Sequence, residues 1–141
     1  MYAALFVEFQ SSSDTLRVYR EAKLVFSSQK DRLLPLLEYI GKPSYSREPV
    51  IIFDKIMGNA AALLSVKACA SEVYSPLGSQ LAIKTLERYG IKYHLGQIVH
   101  CIQKPGTAEM CPMEKLSLNR QPEEFYGIMK SASQPRPKAG S

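Results

Sequence analysis

Residues 50–64 read VIIFDKIMGNAAALL, a bulky apolar run followed at once by a stretch rich in Gly58, Ala60, Ala61 and Ala62. The run Val50-Ile51-Ile52-Phe53 has no polar alternation, which suits a strand buried on both faces. From Lys55 to about Val66 the pattern becomes helical, with Ile56, Leu63 and Leu64 apolar and the remaining inner positions small enough for the backbone to lie close to a sheet. A buried strand that feeds such a helix needs a second strand on its far side. The chain must therefore build an α/β sheet with crossover helices.

The rest of the sequence agrees. In TLRVYREAKLVFSS, Leu16 and Val18 alternate with polar residues, Arg20-Glu21-Ala22 offers a turn, and Leu24, Val25 and Phe26 resume the pattern: a hairpin. Ahead of it, MYAALFVEFQ fits either a short amphipathic helix or a strand. DRLLPLLEYIG places Leu33, Leu34, Leu36, Leu37 and Ile40 on one helical face, with Gly41 as its stop and a start near residues 31–34 that Pro35 tolerates. KPSYSREP is a loop, SEVYS a strand, PLGSQLAIKTLERYG a helix stopped by Gly90, and IKYHL with QIVHCI one or two strands. CPMEKLSL and PEEFYGIMKSA are short helices. The expected architecture is a three-layer α/β/α domain over residues 1–130, its mixed sheet opened by an antiparallel hairpin and covered by helices on both faces, with a disordered Pro-rich tail at 131–141.

At 141 residues and 45% hydrophobic, one such domain can bury a core without disulfide or metal staples. Cys69, Cys101 and Cys111 are odd in number and lack C-x-x-C spacing, so buried free thiols in a reducing compartment are expected. No apolar run reaches the roughly 20 residues that cross a bilayer. MYAALFVEF lacks a basic leader region. A soluble, cytoplasmic protein without membrane contact is expected. The net charge of +5 is mild, and no basic stripe interleaved with aromatics marks a nucleic-acid surface.

Ligands of such sheets usually bind beyond the carboxyl ends of the strands. Two seams of that kind are visible. Asp54 follows a strand and precedes a helix, so its carboxylate can cap the helix for about 1 kcal/mol and complement the dipole. Ser75 with Pro76 repeats the arrangement. Capping alone accounts for both residue types. The functional alternative joins the two helix N-termini into a pocket floor, with Asp54, Lys55, Gly58, Ser75 and Ser79 around a small anionic or nucleotide-like ligand.

The segments IIFDKIMGNAAALL, EVYSPLGSQLAIKTLERYGIKY and GTAEMCPMEKL resemble an uncharacterised family of small bacterial and archaeal proteins whose fold is related to the cytidine deaminases. The resemblance spans roughly residues 16–118 and is most specific at 54–61 and 111–115. It implies a deaminase-type fold and an unknown biochemical function. Zinc deaminases carry His-x-Glu at the first seam and Pro-Cys-x-x-Cys at the second. Here Asp54-Lys55-Ile56 and Ser75-Pro76-Leu77-Gly78-Ser79 are expected in those places, and neither supplies the usual ligands. Zinc-hydroxide deamination is not expected, and no metal or other cofactor is assigned. His94, His100 and the three cysteines are too scattered to suggest a replacement site, and neighbours His100 and Cys101 would face opposite sides of a strand.

Cys111, just ahead of Pro112, is the best nucleophile candidate, because a thiol at a helix N-terminus gains thiolate character. Glu114 could act as an acid or base, or close a capping box back to the backbone at Cys111. Three functions follow: a binding domain without zinc, at the seam; an enzyme with Cys111 as nucleophile and Asp54 or Glu114 as acid or base; and an interaction module acting as a homo-oligomer.

Overall fold

The structure, a computed structural model, describes residues 2–42 and 45–133. Helix α1 (Tyr2–Ser11) leads to β1 (Leu16–Arg20), β2 (Lys23–Ser28), α2 (Leu34–Gly41), β3 (Val50–Asp54) and α3 (Asn59–Lys67). The chain continues through β4 (Ala70–Ser79), α4 (Gln80–Arg88), β5 (Lys92–Val99), α5 (Pro112–Ser117) and α6 (Pro122–Ser133). All five strands form one sheet in the order β2-β1-β3-β4-β5. Strand β1 runs antiparallel to β2 and β3, while β3, β4 and β5 are mutually parallel. The mixed α/β sheet with its opening hairpin is as expected.

Alternation along the strands sorts the core into two faces. On one face Leu16, Val18, Val50, Ile52 and Val73 pack against Leu36, Leu63, Leu64, Leu86 and Phe125 of the helices α2, α3, α4 and α6. Burying each of these side chains contributes about 1.5–3 kcal/mol. On the other face Phe9 of α1 packs with Tyr19 and Phe53, joined by Phe6 and Tyr74. Ring centroids there lie 4.9 Å apart for Tyr19–Phe53 and 5.1 Å for Phe53–Tyr74. The N-terminal segment, which fitted helix or strand, is thus the helix that closes the third layer.

The hairpin turn holds Glu21 at φ 50 and Ala22 at φ 65, both left-handed, as a two-residue turn between twisted strands requires. Neither residue favours that region. The Ala22 N–H donates to the Tyr2 hydroxyl at 2.9 Å, so α1 helps hold the turn.

Four expectations need correction. Helix α3 starts at Asn59, not beside Lys55, and Ile56 is exposed outside it. Strand β4 continues through Pro76 to Ser79, so α4 starts after Ser79 and Ser75 caps nothing. Both shifts share a cause: pairing continues past Asp54 and Ser75, with the Met57 N–H donating to Leu77 O at 2.8 Å and the Ser79 N–H to Met57 O at 3.1 Å. Leu34 opens α2 but is exposed, leaving Leu33, Leu36 and Ile40 inward. Finally, α6 runs to Ser133 and passes the boundary set at residue 130; the remainder of the expected tail, 134–141, lies outside the described residues. Among the described residues no helix is long and apolar enough to cross a membrane.

Candidate functional site

Asp54 ends β3 opposite Leu16 of β1 and is 7% exposed. Its Oδ1 accepts the Ile56 N–H at 3.3 Å, a turn within the β3–α3 connection and not the helix cap expected of it. Burial pushes the carboxyl up to about 7, against the smaller opposing pull of the Ile56 and Lys55 backbone N–H groups. Lys55 turns away from the helix starts. Its Nζ donates to Ser12 O at 2.7 Å and lies 4.9 Å from the centre of the Phe9 ring, fastening the α1–β1 loop.

The N-terminus of α3 is capped from elsewhere in the chain. Gly58 occupies the N-cap position in extended conformation and has no side chain to offer. Glu114 of α5 fills the gap: one carboxylate oxygen accepts the Asn59 N–H, and the other accepts the Ile102 N–H at 2.8 Å. Glu114 is 2% exposed. A Cβ on Gly58 would come within 3.0 Å of its Oε1 and 2.9 Å of Ile102 Cγ1, so the glycine is what lets the carboxylate approach. Asn59 extends the network. Its side-chain amide donates to Ser117 O at 3.1 Å and Ser117 Oγ at 2.9 Å, and its Oδ1 accepts from the Thr85 hydroxyl. Ser117 Oγ donates in turn to Glu114 O at 2.6 Å.

The expected site residues therefore separate. Glu114 and Gly58 meet at the α3 start, whereas Asp54 and Lys55 belong to the α1–β1 side. Ser79 is buried and caps α4, accepting the Ala82 N–H at 3.0 Å. Ser75 is buried too; its Oγ donates to Leu77 O at 2.8 Å across Pro76, which lacks an N–H of its own. The anion hole expected at these two N-termini is filled by Glu114 and Ser79 themselves. Cys111 is half-buried and stands at the N-cap of α5 as expected, but its side chain makes no capping bond. Glu114 does not return to the backbone at Cys111 as a capping box would, because α3 takes its carboxylate. Among the described residues no hydrogen bond joins Asp54 to Cys111 or Glu114. No three His, Cys, Asp or Glu residues gather in a metal-ligating group among them either. His94 pairs with Glu72 and stacks on Tyr74 at 4.1 Å between centroids, as befits the edge strand β5.

The same network floors a cleft that sequence reasoning missed. Asn59 and Thr85 lie beneath it, Leu81, Lys84 and Arg88 of α4 form one wall, and Leu118, Asn119 and Arg120 of the α5–α6 connection form the other, around about 170 Å³. Lys84 and Arg88 are one helical turn apart and so share a face. Among the described residues neither has an ion-pair partner. Arg120 is held in place by Leu116 O at 3.2 Å and Glu124 at 3.0 Å. A roomier recess of about 450 Å³ lies between α1 and β5, lined by Phe6, Tyr93, His94, Leu95, Gly96 and Ile98. It is wide open, and its one ring capable of carrying charge, His94, is already paired. The smaller cleft is the one that concentrates unsatisfied charge. The i, i+4 spacing of Lys84 and Arg88 was visible in the sequence, but nothing local links them to Arg120.

Fold and cleft together define a small mixed α/β domain with a self-capped sheet end and a cationic groove beside it. Residues 8–132 match the family TM1506, a domain of unknown function (DUF1893), and the chain belongs to that family. It is similar in structure to the crystal structure of a DUF1893 family protein (TM1506) from Thermotoga maritima, with a TM-score of 0.81 and 26% sequence identity, over 93% of this chain and 88% of that one. No curated protein matches the chain.

Proposed function

We propose that this domain is a binding module for a small anionic ligand, and that the ligand sits in the cleft above Asn59 and Thr85. The observation that carries this reading is the convergence of Lys84, Arg88 and Arg120 on one cleft with no acidic residue in its lining. Arg120 is already held on one wall by Leu116 O and Glu124, so it loses little mobility when an anion arrives, whereas Lys84 and Arg88 on the other wall are free to turn toward it. The site lies along α4 and the α5–α6 connection and not at the seam expected from the sequence. Asp54, Lys55, Ser75 and Ser79 take structural roles in this reading, and the two oxygens of Glu114, both engaged by backbone donors, are poorly placed for acid or base work.

Kinship with the deaminase fold is part of the same proposal. An opening antiparallel hairpin followed by three parallel strands, with helices starting beyond β3 and β4, supports it. The helices that would carry His-x-Glu and Pro-Cys-x-x-Cys start here with Asn59-Ala60-Ala61 and Gln80-Leu81-Ala82, residue types that cannot assemble the usual zinc ligands. The reading is thus a fold related to catalysts and used for binding.

The test is a thermal-shift screen of anions. A stabilising anion should lose its effect in a Lys84→Gln/Arg88→Gln variant and keep it in Asp54→Asn. The reverse pattern would return the site to the strand-end seam.

A further inference from the structure

We infer that the group held by this cleft is a single phosphoryl dianion, the head of a phosphomonoester whose remainder stays outside. The inference rests on the anion-binding reading and narrows it. Size is the first argument. Pockets that bury a whole drug-sized ligand start at about 300 Å³, and this cleft offers about 170 Å³. A cleft of that size suits one tetrahedral oxyanion, with the rest of its ester extending out of the opening.

Charge balance is the second. Arg120 is partly neutralised by Glu124, whereas Lys84 and Arg88 have no acidic partner among the described residues. The cleft therefore presents close to two uncompensated positive charges, which a dianion matches and a monocarboxylate does not.

Donor geometry is the third. The Arg120 guanidinium uses Nε on Leu116 O and Nη1 on Glu124, so it is fixed with Nη2 still uncommitted. Arg88 carries a full fork of the kind that meets phosphate oxygens in pairs. The floor adds no competing donor, since the Asn59 amide is spent on Ser117 and the Thr85 hydroxyl proton on Asn59. Recognition then comes from the walls, three cations around one tetrahedral group.

Nuclear magnetic resonance titration of the full chain tests this, with inorganic phosphate, glycerol phosphate, succinate, pyrophosphate and a short single-stranded RNA as probes. The expected result is that phosphate and glycerol phosphate shift amides in residues 81–88 and 118–120, and that Arg88→Gln weakens glycerol phosphate about tenfold, the loss of one charged hydrogen bond. Affinity for glycerol phosphate should also fall as pH drops through about 6, where the dianion takes up a proton. Lys84 and Arg88 are exposed, so their substitution should leave unfolding unchanged. Succinate, pyrophosphate or RNA binding more tightly through the same two residues would overturn the phosphomonoester assignment and leave the anion site standing. No shift at these residues with any probe would overturn both.

Discussion

Asp54 and Glu114 are both buried carboxylates at the same end of the sheet, and they are held in different ways. Glu114 bridges two backbone N–H groups from separate segments, one at the start of α3 and the other on Ile102. Asp54 has turn N–H groups alone to offset its burial, no cation pulls its proton off, and its carboxyl rises to about 7. The contrast teaches that burial alone does not set the fate of an acid. What matters is also what the carboxylate joins: Glu114 ties α5 to the start of α3, whereas Asp54 accepts only from its own turn.

Four substitutions would break or sharpen that contrast, and a pair at two helix N-termini calibrates it. The largest effect should come from Glu114→Ala, which leaves the buried Asn59 N–H and the part-buried Ile102 N–H without acceptors; urea unfolding should show a loss of about 3 kcal/mol. Glu114→Gln keeps one acceptor and should lose less. Equal losses in the two variants would mean that the charge contributes nothing.

Next is Asp54→Asn, with a sign that depends on pH. Between about 4 and 7 the folded protein keeps a proton on Asp54 that the unfolded chain releases, so wild-type stability should fall as pH rises through that window and level off above it. The amide is never ionised. At pH 8 the variant should therefore be more stable than wild type by a few kcal/mol, about 1.4 kcal/mol for each unit by which the carboxyl is raised, and at pH 4 the two should agree. Parallel curves for the two proteins would remove Asp54 from the account.

Asn59→Ala should cost about 1–2 kcal/mol, because Thr85 and Ser117 lose their buried partner. Smallest are the two helix caps. Ser79→Ala should cost about 1 kcal/mol, while Cys111→Ala should change stability by under about 0.5 kcal/mol, its thiol making no capping bond. A larger loss at Cys111 would give that thiol a role the geometry lacks.

The apolar run at residues 50–53, the alternation in the hairpin and the stop at Gly41 are local patterns, and each produced its element where expected. The two helix starts were misjudged because Asp54 and Ser75-Pro76 look like caps in isolation. Gly58-Asn59 carried the better signal, a flexible cap position followed by a residue favoured at helix starts, but it competed with an acid nearer the strand. Only the pairing of Met57 with Leu77 and Ser79 showed that the strands run on.

Periodicity, turn residues and small-residue spacing by themselves determined a mixed α/β sheet with helices packed close against it, since those signals act over a few residues of backbone. Tertiary structure alone decided the caps and the cleft. Glu114 reaches Asn59 from 55 residues away, and Arg120 faces Lys84 and Arg88 across a gap between α4 and the α5–α6 connection. No local propensity encodes such meetings: the free energy of a hydrogen bond or a charge depends on what packing places beside it.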